Sequence, residues 1–251
     1  ELLGGRCRGR IPLSISLANP DFTADLELAQ RVYADGLRIL KVKTGFADQA
    51  FDLKRLQGLR ENLPEDVDIR VDYNQGLAPF DALRRLRDVE AFQPGFIEQP
   101  VPGKEWRVMA DLTARLETPV LADESVFSPN DALRAVESSI ANGFSIKVMK
   151  SGGMRRGQEV AAVAEAGSLS CYGGDMFETG LAHLAGTHMI AASPNISLGC
   201  EFYQAKYYLE QDLLADPFPI ENGAVIVPET PGLGIDVDPA RLKEFTIESR
   251  G

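Results

Sequence analysis

Two lysines one residue apart close an apolar run in "RILKVKTG" (38–45), and charges at the ends of apolar runs recur down the chain. Residues 39–43 have the composition of a β-strand, whose two-residue period puts Lys41 and Lys43 on one face and Leu40 and Val42 on the other. In "DIRVDYNQG" Asp72 and Asn74 share a face, "GFIEQP" ends in Glu98, "PVLADES" in Asp123 and "FSIKVMKSGG" in Lys147. From Lys43 through Asp72, Glu98 and Asp123 to Lys147 the intervals are 29, 26, 25 and 24 residues, each the length of one strand–helix unit. Taken singly, each charge is as compatible with a solvated rim salt bridge, and the set with a buried structural Lys–Asp network. A common phase over five successive strands favours a shared site, because a surface pattern has no reason to keep it.

The residue types narrow the chemistry. Asp72, Glu98 and Asp123 offer three hard oxygen ligands unaccompanied by Cys or a nearby His, which suits Mg²⁺, or Mn²⁺ as a substitute, with positions left for substrate oxygens. Lys43 and Lys147 would flank that cation, and an ammonium beside a divalent cation and a second lysine is expected to have its pKa pushed down towards that of a base at neutral pH. A carboxylate substrate on the metal would develop enediolate charge as its α-proton leaves, and the metal would stabilise it.

The elements that must position these groups alternate. Strands are expected near 11–17, 38–43, 68–73, 95–99, 119–124, 144–149, 169–173 and 195–199, with helices over 23–36, 80–92, 105–117, 128–143 and 155–167. Ser128 or Asn130 is a helix cap, and Gly36, Gly143 and Gly167 are helix stops. Strand–helix repetition with short loops implies a parallel sheet with helices outside, and eight strands favour a closed (β/α) barrel over an open sheet. No Gly-x-Gly-x-x-Gly follows the first strand, which removes the main argument for a dinucleotide fold. In parallel barrels the C-terminal ends of the strands share one rim, where active sites are built. Residues 1–10 read as a linker, 11–215 as the barrel, and the Pro/Gly-rich 216–251 as a C-terminal extension with a hairpin at Asn222–Gly223.

The bulk numbers agree with a globular α/β chain: 251 residues, 44% hydrophobic and 25% charged. A net charge of −11 repels phosphate backbones and argues against nucleic-acid binding. No apolar run approaches a membrane span, and "ELLGGRCRGR" lacks the apolar core of a signal peptide. Cys7, Cys171 and Cys200 read as reduced thiols of a cytoplasmic protein. His183 and His188, in an apolar helical stretch, read as packed or capping residues, and the glycines after Lys150 as a turn.

At this point the sequence resembles the enolase superfamily, in its muconate lactonizing enzyme branch. The motifs "KVK" (41–43), "VDYNQ" (71–75), "IEQP" (97–100), "ADES" (122–125), "IKVMKSGG" (146–153) and "GGDMFETG" (173–180) stand in family order over nearly the whole chain. The resemblance implies a TIM-like modified (β/α)₇β barrel and an essential Mg²⁺ held by Asp72, Glu98 and Asp123. It implies Lys43 and Lys147 as acid/base groups on opposite faces of a small carboxylate substrate, with Lys41 supporting Lys43. Asn74, Glu124 and Lys150 would be neighbours of the metal, in a homo-oligomer. It also implies an N-terminal capping domain, of which "ELLGG" resembles only the exit segment.

Within the branch the motif texture leans towards muconate cycloisomerase. Asp175, where relatives commonly have a small polar residue, runs against a dianionic substrate; with Glu178 or Glu201 it would suit an ammonium-bearing one. Epimerisation of amino acids, dipeptides or N-acyl amino acids, and dehydration, are therefore the alternatives; the plainer reading of Asp175 is that it points away or pairs with a basic residue. A Schiff-base aldolase using Lys147 and an inert metal-binding scaffold are the remaining rivals.

Overall fold

In the computed structural model, which describes residues 2–247, the expected alternation is realised from end to end. The order is β1 (Arg10–Pro12), β2 (Ser14–Leu17), α1 (Phe22–Ala34), β3 (Ile39–Lys43), α2 (Gln49–Asn62), β4 (Asp68–Asp72), α3 (Ala82–Glu90), β5 (Ile97–Glu98) and α4 (Trp106–Arg115). There follow β6 (Val120–Ala122), α5 (Pro129–Glu137), β7 (Gly143–Ile146), α6 (Val148–Ser151), α7 (Met154–Ala166), β8 (Ser170–Gly173) and α8 (Gly180–Ala191). The chain continues through α9 (Gln204–Tyr207), β9 (Ile220–Glu221), β10 (Ala224–Ile226) and α10 (Pro239–Phe245).

Strands β2 to β8 form one parallel sheet in chain order. Its two edges meet through the segment 195–201. Cys200 pairs in parallel with both Leu13 and Gly173, donates to Pro12 O and accepts from Ser14 N, while Gly173 N donates to Gly199 O. The eighth strand expected near 195–199 is thus an irregular stave displaced towards Cys200, not a regular strand. The fold is the TIM-like α/β barrel of the sequence expectation.

The run 11–17, expected as one strand, divides between two sheets. Pro12 has no N–H for a second ladder; Arg10–Pro12 pairs antiparallel with β10, and the barrel ladder begins at Ser14. The turn Asn222–Gly223 joins β9 to β10 with both residues at positive φ (46° and 69°), as a tight hairpin requires. A Cβ on Gly223 would strike the backbone of Gly36, which itself ends α1 at φ 95°. Ser128 caps α5 through a reciprocal capping box with Asp131, and Gly167 ends α7. Gly143, expected as a helix stop, begins β7 instead, because α5 already ends at Ser138.

The sheet is buried on both faces, as parallel sheets are. Leu40 and Val42 pack outwards into the apolar layer shared with the helices. Inside the barrel a separate small cluster of Phe96, Leu121 and Tyr172 fills the lower axis, with the Arg70 guanidinium 4.7 Å and 5.1 Å from the Phe96 and Tyr172 ring centres. Lys41 Nζ stands 5.4 Å from the centre of the Tyr172 ring. The polar site begins on that apolar floor.

Candidate active site

Register carries the charged residues to one level. Lys41 and Lys43 pair with Arg70 and Asp72 across β3–β4, and Asp72 pairs with Glu98 across β4–β5. Asp123 follows β6, and Lys147 follows β7, where it starts α6. Asp72, Glu98 and Asp123 have no exposed surface.

Lys41, wholly buried, pairs with three carboxylates, Asp72 at 3.1 Å, Glu98 at 2.9 Å and Glu201 at 2.7 Å, and donates a hydrogen bond to Glu98. Burial alone would depress its pKa, but Glu201, Glu98 and Asp72 outweigh it and raise it well above the ordinary lysine value. Lys43 reaches past it, 27% exposed at the side chain, to Asp72 Oδ2 at 2.6 Å and Asn74 Oδ1 at 3.0 Å. On the far side Lys147 donates to Asp123 Oδ2 at 2.5 Å, and Lys150 donates to Asp123 Oδ1, Asp123 O and Ser145 O, each at 2.7 Å. The two proposed acid/base lysines thus enter from opposite ends of a row of carboxylates, one through Asp72 and the other through Asp123.

The carboxylates respond unequally. Asp72 and Asp123 are pulled below the usual range, because the adjoining lysines overcome the cost of burial. Glu98 is raised, burial and the neighbouring carboxylates exceeding the effect of Lys41. Burial, with Asp123 and Asp72 nearby, pushes Glu124 up to about 7. With no cation beside it, Lys147 is raised above the ordinary lysine value. Burial does act downwards on it, but Asp123 and Glu98 hold the proton more strongly.

The donor set consists of carboxylate oxygens only, and Glu98 Oε1 is buried without a hydrogen-bond partner, an orphaned acceptor in the middle of the row. Among the described residues no three His, Cys, Asp or Glu groups already stand around one point; lysines engage Asp72 Oδ2 and both Asp123 oxygens, so a cation would compete with them. In chemistry, the residues fit a hard divalent cation.

The structure gathers Asn74 and Lys150 into this site, with Asn74 Nδ2 3.4 Å from Glu124 Oε1. Glu201 is turned onto Lys41 and accepts from Ser16 Oγ at 2.9 Å. Asp175 lies beside the Lys147 strand end but bonds to none of these groups; burial pushes it up to about 7. Glu178 is not brought in: its carboxylate accepts from Met176 N in a local turn. His183 stacks on Phe202 with ring centres 5.0 Å apart, burial lowering its pKa to about 4, and His188 Nε2 contacts Leu233 O, so both are packed residues.

Three supports escaped the sequence reading. Arg55, buried in α2, donates to Lys43 O at 2.6 Å, Leu17 O at 3.0 Å and Asp25 Oδ2 at 2.7 Å, tying together the ends of β2 and β3. Gln99, at φ 32°, accepts from Asp123 N and Ser125 N and so holds the loop that carries Asp123. Ser16 steadies Glu201. Only Gln99 carried a sequence signal, its place in "IEQP".

A parallel barrel with this ring of lysines and carboxylates defines the class: the chain belongs to the enolase C-terminal domain-like family, whose profile matches residues 24–241. It is similar to muconate cycloisomerase 1 of Acinetobacter baylyi, 31% identical over 246 residues that make up 98% of this chain and 66% of that protein. Among solved structures it resembles a muconate cycloisomerase from Azorhizobium caulinodans (47% identity, TM-score 0.88, 97% of this chain and 68% of that one). It also resembles a muconate lactonizing enzyme from Pseudomonas fluorescens complexed with muconolactone (33%, TM-score 0.92, 97% and 66%). The chain therefore spans about two thirds of the length of these relatives. No helix among its described residues is long and apolar enough to cross a membrane.

Proposed function

We propose that the chain is the catalytic barrel of a metal-dependent isomerase that removes and returns a proton α to the carboxylate of a small acid. Its Lys43 and Lys147 would be the two proton carriers. The observation that supports this most is their placement at opposite ends of one buried carboxylate row, each with its ammonium on a different carboxylate. Asp72, Glu98 and Asp123 would hold Mg²⁺, or Mn²⁺ in its place. When bound, that ion supplies positive charge against the negative charge developing on the substrate carboxylate.

The chain's own residues do the rest. Lys41 stays charged and fully buried, offsets part of the negative charge of Asp72, Glu98 and Glu201, and so lessens the repulsion of an incoming anion. Lys43, the more exposed of the pair, takes the proton from one face of the α-carbon at its Nζ, and Lys147 serves the other face. Asp123 and Glu98 hold the proton on Lys147, and a cation held by Asp123 would share that carboxylate's charge and weaken its hold on the ammonium. Muconate and muconolactone are the first substrate pair to test, because the relatives are named for that cycloisomerisation. Epimerisation of amino acids or dipeptides is a second reading, favoured by Asp175. Cytoplasmic residence and a homo-oligomeric state belong to the same proposal.

The test is deuterium uptake from D₂O into the α-position of muconolactone, dipeptides and N-acyl amino acids with Mg²⁺ present. Exchange should stop with EDTA, and borohydride should trap no adduct on Lys147. EDTA-resistant turnover with a trapped lysine would establish the aldolase reading instead.

A further inference from the structure

Asp175 follows β8 by two residues and is only 9% exposed, yet its Oδ2 accepts no hydrogen bond. The imidazole Nε2 of His183 stands 3.5 Å away, too far for a good bond, and neither ring nitrogen of His183 has another partner. Gln204, whose amide also lies against Asp175, leaves its Oε1 buried and unpaired. Four of the eleven buried, unpartnered side-chain polar atoms among the described residues therefore fall in one corner between β8, α8 and α9. Folded chains leave few such atoms, and a cluster of them marks where a ligand or water completes the bonding.

The corner adjoins the proposed chemistry. Gly174 packs on the Lys147 stem so closely that a Cβ there would lie 2.9 Å from Lys147 Cε. Its charge is unlike that of the carboxylate row. Lys41, Lys43, Lys147 and Lys150 are each bonded to a site carboxylate, whereas Asp175 has no lysine or arginine within salt-bridge distance: Lys41 and Lys147 act on it only at longer range, and Glu178 opposes them with a second negative charge. Burial keeps His183 neutral, so it does not supply the missing cation. A second carboxylate placed here would meet the negative charge of Asp175 and Glu178, while an N–H or O–H donor would satisfy Asp175 Oδ2 and Gln204 Oε1, the neutral His183 ring offering one donor and one acceptor nitrogen beside them.

We propose that the Asp175–His183–Gln204 corner is a distal substrate subsite that receives a hydrogen-bond donor, above all an ammonium, at the far end of the acid whose near carboxylate lies between Lys43 and Lys147. The proposal rests on the α-proton reading for its near end and makes a separate claim about the far end: the preferred substrate is an amino-bearing acid, not a dicarboxylate.

The test is a ranking of four six-carbon probes in binding to this chain with Mg²⁺ at pH 8, measured by calorimetry: hexanoate, 6-hydroxyhexanoate, 6-aminohexanoate and adipate. The aminated probe should bind about tenfold or more tightly than adipate, as a charge-assisted contact predicts, with the hydroxylated probe between them. Asp175→Asn, nearly isosteric and checked for folding by circular dichroism, should lose that tenfold preference and bind hexanoate as before. Asp175→Ser provides a second variant if the amide misfolds. Adipate binding as tightly as 6-aminohexanoate, an unchanged ranking in a folded Asp175 variant, or no binding by any of the four overturns the subsite. The α-proton reading is judged separately, by exchange in the Lys43 and Lys147 variants, so either claim can fail alone.

Discussion

Replacing Lys41 by methionine keeps an unbranched apolar stem of similar reach and removes the ammonium. That ammonium lies 2.7–3.1 Å from Glu201, Glu98 and Asp72, and all four side chains are 0–3% exposed. Removing one partner of a buried ion pair typically costs about 3–5 kcal/mol, because the remaining charge stays buried; here three carboxylates are left, of which Asp72 retains Lys43. Urea unfolding of Lys41→Met at pH 7 in EDTA should therefore show a loss of about 3–5 kcal/mol. Lys43→Met removes a part-exposed ammonium whose main partner keeps Lys41, so its loss should be about 1 kcal/mol. The variant's loss should also depend on pH. Glu98 has a folded pKa already above its unfolded value, and without Lys41 it rises further. A raised acid contributes stability at low pH that is lost as pH rises through its folded pKa, so Lys41→Met should be weaker at pH 8 than at pH 5. Mg²⁺ at about one hundred times its dissociation constant should restore about 2.7 kcal/mol, through binding to the folded state alone. Equal losses for the two lysine variants, or a loss below about 1 kcal/mol for Lys41→Met, would refute the reasoning.

Other perturbations have equally defined outcomes. Gly174→Ala places a methyl group against Ser145 Oγ and the Lys147 stem, so α-proton exchange through Lys147 should fall at least about tenfold while the circular dichroism spectrum is kept. Arg55→Met should cost about 3–5 kcal/mol in urea unfolding, since it strands the buried Asp25 and frees the carbonyls of Lys43 and Leu17. Asp175 has a folded pKa of about 7, above its unfolded value, so wild-type stability should decline between about pH 4 and pH 7; Asp175→Asn should flatten that decline in a pH series of melting temperatures.

The sequence was most informative where a strand ends in a charge. Lys43, Asp72, Glu98, Asp123 and Lys147 keep a strand–helix phase because each must reach the same rim, and the parallel register places them there. Helix α2 was not legible, because Asp52 and Arg55 occupy its buried face beside Leu56 and Leu59 and blur the apolar stripe. The closing stave was misplaced for a different reason: it pairs chiefly through Cys200 and the backbone around it, which leaves little strand pattern. Glu201 pairs with Lys41, a contact across 160 residues that no local pattern reveals. Proton affinity was hardest to read. Lys147 answers to the carboxylates packed around it, and their number and distance exist only in the folded chain.

The most direct test of the account follows the two faces of one α-carbon. With Mg²⁺ and a substrate that exchanges its α-proton with D₂O, the wild-type chain should label both enantiomers. Lys43→Ala should abolish exchange from one face and Lys147→Ala from the other, each variant keeping the opposite activity. Exchange that persists from both faces in either folded variant would contradict the assignment of these lysines.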